Sequence, residues 1–170
     1  MLLVLLLSFR ASARAETSRE YSIKAGYLLN FARFTDWPPE AFADKAAPLV
    51  IGILGTDPFG KVLDEIVRGE EVRGRRVVVE RYQSVAEIKT CHILYLGQTE
   101  SERLEDTLGG LNRKPMLTVS DIEGAARRGV MIELVNVKNN VRFRINANAA
   151  RAARLTISSK VLRAAENPGR

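Results

Sequence analysis

Cysteine and histidine are nearly absent: the 170-residue chain holds one of each, Cys91 and His92. One of each excludes an internal disulfide and a Cys/His zinc site built by this chain alone. It also argues against a Cys-His nucleophile pair, because sequence neighbours on a strand point to opposite faces. No serine stands in a Gly-x-Ser-x-Gly turn. Neither Gly-x-Gly-x-x-Gly nor Gly-x-x-x-x-Gly-Lys-Ser/Thr occurs, so hydrolase-elbow, dinucleotide and P-loop chemistry have no motif to rest on. The acid pairs Asp64-Glu65, Glu70-Glu71 and Glu105-Asp106 fall on expected solvent faces or turns. Neighbours in sequence do not face each other on a helix, and no spacing here pairs a general acid with a base. These absences point to a protein that is not an enzyme and needs neither cofactor nor metal.

What is present is a globular composition, 46% hydrophobic and 27% charged, which argues against disorder. The length fits one domain able to bury its own core. The first fifteen residues stand apart. Leu2 to Leu7 is an unbroken apolar run too short to span a bilayer, and Ala11-Ser12-Ala13-Arg14-Ala15 follows it. An apolar run ending in Ala-x-Ala predicts a secretory leader over residues 1–15, cleaved after Ala13 or Ala15, and a single domain over 16–170.

Without that leader the chain has 24 basic and 20 acidic residues, a net charge of +4. The distribution matters more. Residues 138–170 carry eight basic residues against Glu166 alone, whereas 16–137 sum to −3. A basic end on a near-neutral body suits an anionic partner, ligand or surface. Export argues against nucleic acid.

A helix is expected from Arg19 to Phe34, capped by Thr17 or Ser18, with Ile23, Tyr27, Asn30, Phe31 and Phe34 at helical spacing. Asp36-Trp37-Pro38-Pro39 ends it. Strands are expected at 49–54, 77–79, 92–96, 116–119, 130–137 and 141–145. Between them fall helices at 58–68, 84–88, 100–108 and 121–128, and two more follow, at 149–153 and 158–165. The tail 166–170 is expected to fray. Strands alternating with helices predict an α/β fold, a single-domain three-layer sandwich. Its sheet is mostly parallel and six-stranded with an antiparallel edge hairpin, and helices cover both faces. No internal repeat is present.

Three groups of residues stand out as binding candidates. Thr56, Asp57 and Phe59 lie in the turn after the first strand, the end at which open α/β sheets bind ligands. That turn reads either as a small-ligand site or as a well-capped strand-to-helix turn, with Asp57 capping a helix that starts at Pro58. Arg142 and Arg144 alternate on a strand and share one face, and Arg154 follows on the next helix. Together they read either as an oxyanion patch or as an edge strand kept soluble by charge. Asn30 is a polar exception in an apolar stripe and calls for a partner. Five aromatic residues, Tyr21, Tyr27, Phe31, Phe34 and Trp37, crowd this first helix and its end.

Six segments carry a resemblance: IKAGYLLNFARFTDWP at 23–38, VIGILGTDPFG at 50–60, VRGRRVVVERY at 72–82, CHILYLG at 91–97, MLTVSDIEGAARRGVMIEL at 116–134 and VRFRINANAARAARLTISSKVLRAA at 141–165. Together they resemble the YfiR-like family of periplasmic proteins over nearly the whole chain past the leader. The resemblance implies a non-enzymatic regulator that binds the periplasmic part of a membrane-bound diguanylate cyclase, or of a sensor kinase, and represses it. It also implies a homodimer, to which the aromatic first helix would contribute. The alternative is a periplasmic protein that binds a small anionic ligand. Family members often carry cysteines in neighbouring strands, at positions held here by Gly52 and Cys91. With Gly52 in place the disulfide is lost, and Cys91 reads as a buried free thiol.

Overall fold

The computed structural model describes residues 2–111 and 114–166, with side chains from Glu16 onward. The expected frayed tail beyond Glu166 lies outside the described residues. Helix α1 runs unbroken over Leu2–Phe34, so Thr17 and Ser18 do not start it. Its buried face is Ala25, Leu28, Leu29, Phe31 and Ala32, with Lys24 beside them. Ile23, Phe34 and Asn30 are exposed, so the stripe lies to one side of the expected one. Asn30 sits in water and needs no partner inside the protein. A two-residue strand β1 (Thr35–Asp36) then turns the chain toward β2 (Leu49–Leu54), which is buried along its whole length. That burial is why β2 reads as a continuous apolar run.

Beyond β2 come α2 (Lys61–Val67), β3 (Glu71–Val72), β4 (Arg75–Tyr82), β5 (Ile93–Leu96), α3 (Leu104–Gly110) and β6 (Leu117–Ser120). The chain ends with β7 (Ile132–Val137), β8 (Asn140–Ile145), α4 (Ala147–Ala152), β9 (Thr156–Ile157) and α5 (Ser159–Ala164). The main sheet has seven strands in the order β3-β4-β2-β5-β6-β7-β8. β4, β2, β5, β6 and β7 are parallel, and the edges β3 and β8 are antiparallel to their neighbours. The seventh strand is β3, whose Glu71-Val72 pairs back on Arg75-Arg76 around Arg73 and Gly74, both at positive φ. Two residues of mixed polarity gave no strand signal in the sequence. β1 and β9 form a separate small antiparallel pair that ties the end of α1 to the C-terminal segment.

Two apolar layers flank the sheet. One unites α1, α2, α4 and α5 over Ile51, Ile53, Ile93, Tyr95, Leu117 and Phe143. The other packs α3 and its neighbours over Leu54, Leu94, Leu96 and Cys91. The stretch expected as a helix over 121–128 is a series of turns in which Gly124 takes a φ of +73°. Ser84 to Ile88 is a single 3-10 turn, whose Glu87 accepts the Gln83 N–H. His92, 1% exposed, staples the amino end of β5: its Nδ1 accepts the Val50 N–H and its Nε2 lies 3.1 Å from Ala41 O. The ring stacks on Phe42 with centroids 4.2 Å apart. Burial holds the imidazole below its usual pKa, so it is neutral, with its proton on Nε2.

Candidate functional site

The chain leaves β2 through α2 to β4 on one side, and leaves β5 through α3 to β6 on the other. The carboxyl ends of β2 and β5 therefore form the topological switch point, where open sheets hold their ligands. Here the turns after the two strands pack against each other. Thr56 N–H donates to Thr99 Oγ1 at 3.0 Å, and a Cβ on Gly97 would meet Thr56 O at 2.3 Å. Asp57 Oδ1 accepts the N–H groups of Phe59 and Gly60, and Oδ2 accepts Arg81 Nε at 2.7 Å. α2 starts only at Lys61, after Gly60 at φ +53°, so Asp57 locks a turn and does not cap the helix. Phe59 lies edge-on to both Tyr21 and Tyr95, with centroids 5.6 and 4.7 Å away.

Beside this turn sits a polar cluster that the reading by motif did not isolate. Asp121, immediately after β6, accepts Lys24 Nζ at 2.6 Å, Tyr21 OH at 3.0 Å and Gln98 Nε2 at 3.0 Å. Both side chains of the Lys24–Asp121 pair are 5% exposed. Lys24 also meets Glu20 at 2.6 Å, one turn earlier on α1. Burial works against the Asp121 charge, but the hydrogen bond and charge of Lys24, together with the Tyr95 and Tyr21 hydroxyls, outweigh it and hold the carboxyl below its ordinary range. Tyr21 is raised by burial and by the same carboxylate. The Tyr95 hydroxyl is fully buried and feels the Asp121 charge, yet it meets no partner in hydrogen-bond geometry among the described residues. The sequence did carry a signal for the pair. Lys24 shares a helical face with Leu28 and Phe31, and a lysine on a buried face needs a carboxylate.

The arginines are distributed differently from a single patch. Arg142 and Arg144 do share the side of β8 opposite Phe143, as period-2 geometry requires. Their partners, however, are separate. Arg142 Nε lies 3.7 Å from Glu166, Arg144 Nη1 lies 3.3 Å from Glu133, and Arg154 binds Glu40 in the 3-10 turn Pro39–Ala41. The physical reason is local neutralisation. Glu133 is directly cross-strand from Arg144, and the α4–β9 turn carries Arg154, at φ +60°, toward the segment after α1. Of these carboxylates Glu133 is the buried one, at 2% exposure; it also accepts the N–H groups of Gly124 and Ala126. Arg142 borders the hollow between α1 and the β7–β8 hairpin, and Arg144 borders another at the start of α4.

Among the described residues no group of three or more His, Cys, Asp and Glu side chains is placed to hold a metal ion. No helix there is long and apolar enough to cross a membrane. No curated protein matches the chain. A family model described as YfiR/HmsC-like matches residues 21–166, from the aromatic part of α1 through α5. That family is in general periplasmic, regulatory and non-catalytic, and it works with membrane signalling proteins. Covering α1 from Tyr21 onward, the whole sheet and both apolar layers described above, the match shows that the chain belongs to the YfiR/HmsC-like family.

Proposed function

We propose that this protein is exported to the periplasm, where it binds the periplasmic part of a membrane-bound diguanylate cyclase or sensor protein and holds it inactive. The observation that carries the reading is the family match over residues 21–166. The internal chemistry supports binding over catalysis. The buried carboxylates Asp121, Glu133 and Glu100 are each committed to structural partners: Glu100 accepts Arg103 and Thr107 as Asp121 accepts Lys24. Asp121 and Glu100 are both held below the ordinary carboxylate range, Asp121 by Lys24 and Glu100 by Arg103 and Thr107, and a carboxylate so held is a poor general acid. Among the described residues, Ile23 and Phe34 on α1 and Leu162 on α5 are large exposed apolar groups available to a partner or to a second copy in a homodimer.

Deleting the gene in its own host tests the reading. Expected are a raised cyclic-di-GMP level or a raised sensor output, reversed by complementation, and retention of the partner's periplasmic domain on the purified protein. An unchanged output together with no retained cyclase or sensor domain overturns it. Export is tested separately by the intact mass of the periplasmic form, expected to begin at Arg14 or Glu16, after cleavage at Ala13 or Ala15.

A further inference from the structure

The hollow bordered by Arg144 has no part in the regulator reading. It measures about 340 Å³ and lies where the 121–131 turns, β7, the end of β8 and the start of α4 meet. That volume is within the ~300–1,000 Å³ range of small-ligand sites. At the ~30 Å³ that a water occupies in the liquid, it admits about ten non-hydrogen atoms. Two guanidinium groups, Arg127 and Arg144, stand at its wall. Arg144 gives Nη1 to Glu133 and makes no other polar contact among the described residues, which leaves the rest of its fork free. Arg127 is exposed and has no acidic partner among the described residues. Ala126 and Ala147 supply an apolar wall.

We propose that this hollow binds a small organic monocarboxylate, its anion held between Arg127 and Arg144 and its apolar body against Ala126 and Ala147. The charge decides the class. Glu133 neutralises one of the two guanidinium groups, so the site offers a single uncompensated positive charge, that of Arg127. A monoanion balances it. A dianion such as phosphate brings a second negative charge toward the buried Glu133 carboxylate and is repelled. Glu133 also fixes the orientation of Arg144 before a ligand arrives, which lowers the ordering cost of binding. The site stands whether or not a cyclase is the membrane partner.

The test is titration calorimetry of the exported form with benzoate, hexanoate and inorganic phosphate, on the wild type, Arg127→Gln and Ala147→Phe. Arg127→Gln removes an exposed charge that the fold does not use, and Ala147→Phe fills the hollow from the first turn of α4. A carboxylate is expected to bind the wild type and to lose about tenfold or more in affinity in each variant, the worth of a charge-assisted hydrogen bond. Phosphate is expected to bind at least tenfold more weakly than that carboxylate. Absence of saturable carboxylate binding, equal binding by Arg127→Gln, or a preference for phosphate each overturns the assignment.

Discussion

Lys24 and Asp121, 97 residues apart in sequence, meet at 2.6 Å with each side chain 95% removed from solvent. The contact pins α1 to the carboxyl end of β6, beside the switch point. An ion pair this deep is held by its partners and not by water, so its two halves are unequal to its whole.

Asp121→Ala leaves the buried Lys24 ammonium with only the more exposed Glu20 carboxylate as an acidic partner and is expected to cost about 1–3 kcal/mol. The double variant Lys24→Met, Asp121→Leu is expected to recover most of that loss, because no deeply buried charge remains and Glu20 keeps contact with solvent. Urea unfolding of the three proteins checks this. A double variant as unstable as Asp121→Ala would show that the site depends on its polar bonds and not on charge balance.

Acid is expected to weaken the fold in two stages. An unfolded histidine takes up a proton near pH ~6.5. Folded His92 resists until lower pH, because burial and the Val50 N–H on Nδ1 favour its neutral form. The unfolded chain therefore binds more protons as pH falls through ~6.5, and stability falls with it. Asp121 acts lower: its stabilisation is present above the unfolded value of ~3.9 and is lost as pH falls through its depressed folded value. Urea midpoints at about pH 7 and pH 5 are expected to drop in the wild type and to change less in His92→Gln. A slope unaltered by that variant would assign the loss to other groups.

Cys91 is expected to be inert in the native protein. It is buried, its Sγ lies 3.0 Å from Ile93 O, and burial pushes the thiol up to about 12. A thiol reagent at about pH 8 should label it only after unfolding. A Cβ on Gly52 would stand 2.7 Å from that sulfur and 2.6 Å from the Tyr82 ring. Gly52→Ala is therefore expected to cost about 1–3 kcal/mol through overpacking. Gly52→Cys is expected to lose both free thiols on oxidation. Persistence of two free thiols in oxidised Gly52→Cys would place the sulfurs out of reach.

The arginines should separate by stability. Arg142→Ala and Arg154→Ala remove exposed pairs and are expected to change stability by no more than about 0.5 kcal/mol. Arg144→Ala leaves buried Glu133 short of one donor and is expected to cost about 1–3 kcal/mol. Thermal or urea unfolding of the three ranks them, and equal effects would refute the distinction.

What the sequence determined by itself was whatever has a local cause. The apolar run 49–54 is a strand because β2 is covered on both faces, and 141–145 alternates because β8 has one buried side. Alternation of such runs with helices determined the α/β class, and six segments that include these runs carried the resemblance to the family. β3 was not legible, since two residues held by a turn leave no periodicity to detect. The partners of Lys24, Arg144 and Arg154 were decided by the tertiary structure. Which carboxylate neutralises each cation depends on how elements 11 to 114 residues apart are packed. The same packing put Arg127, unremarkable in the sequence, beside Arg144 across a hollow. Periodicity shows which face of an element a charge lies on, and only the assembled layers show what stands opposite it.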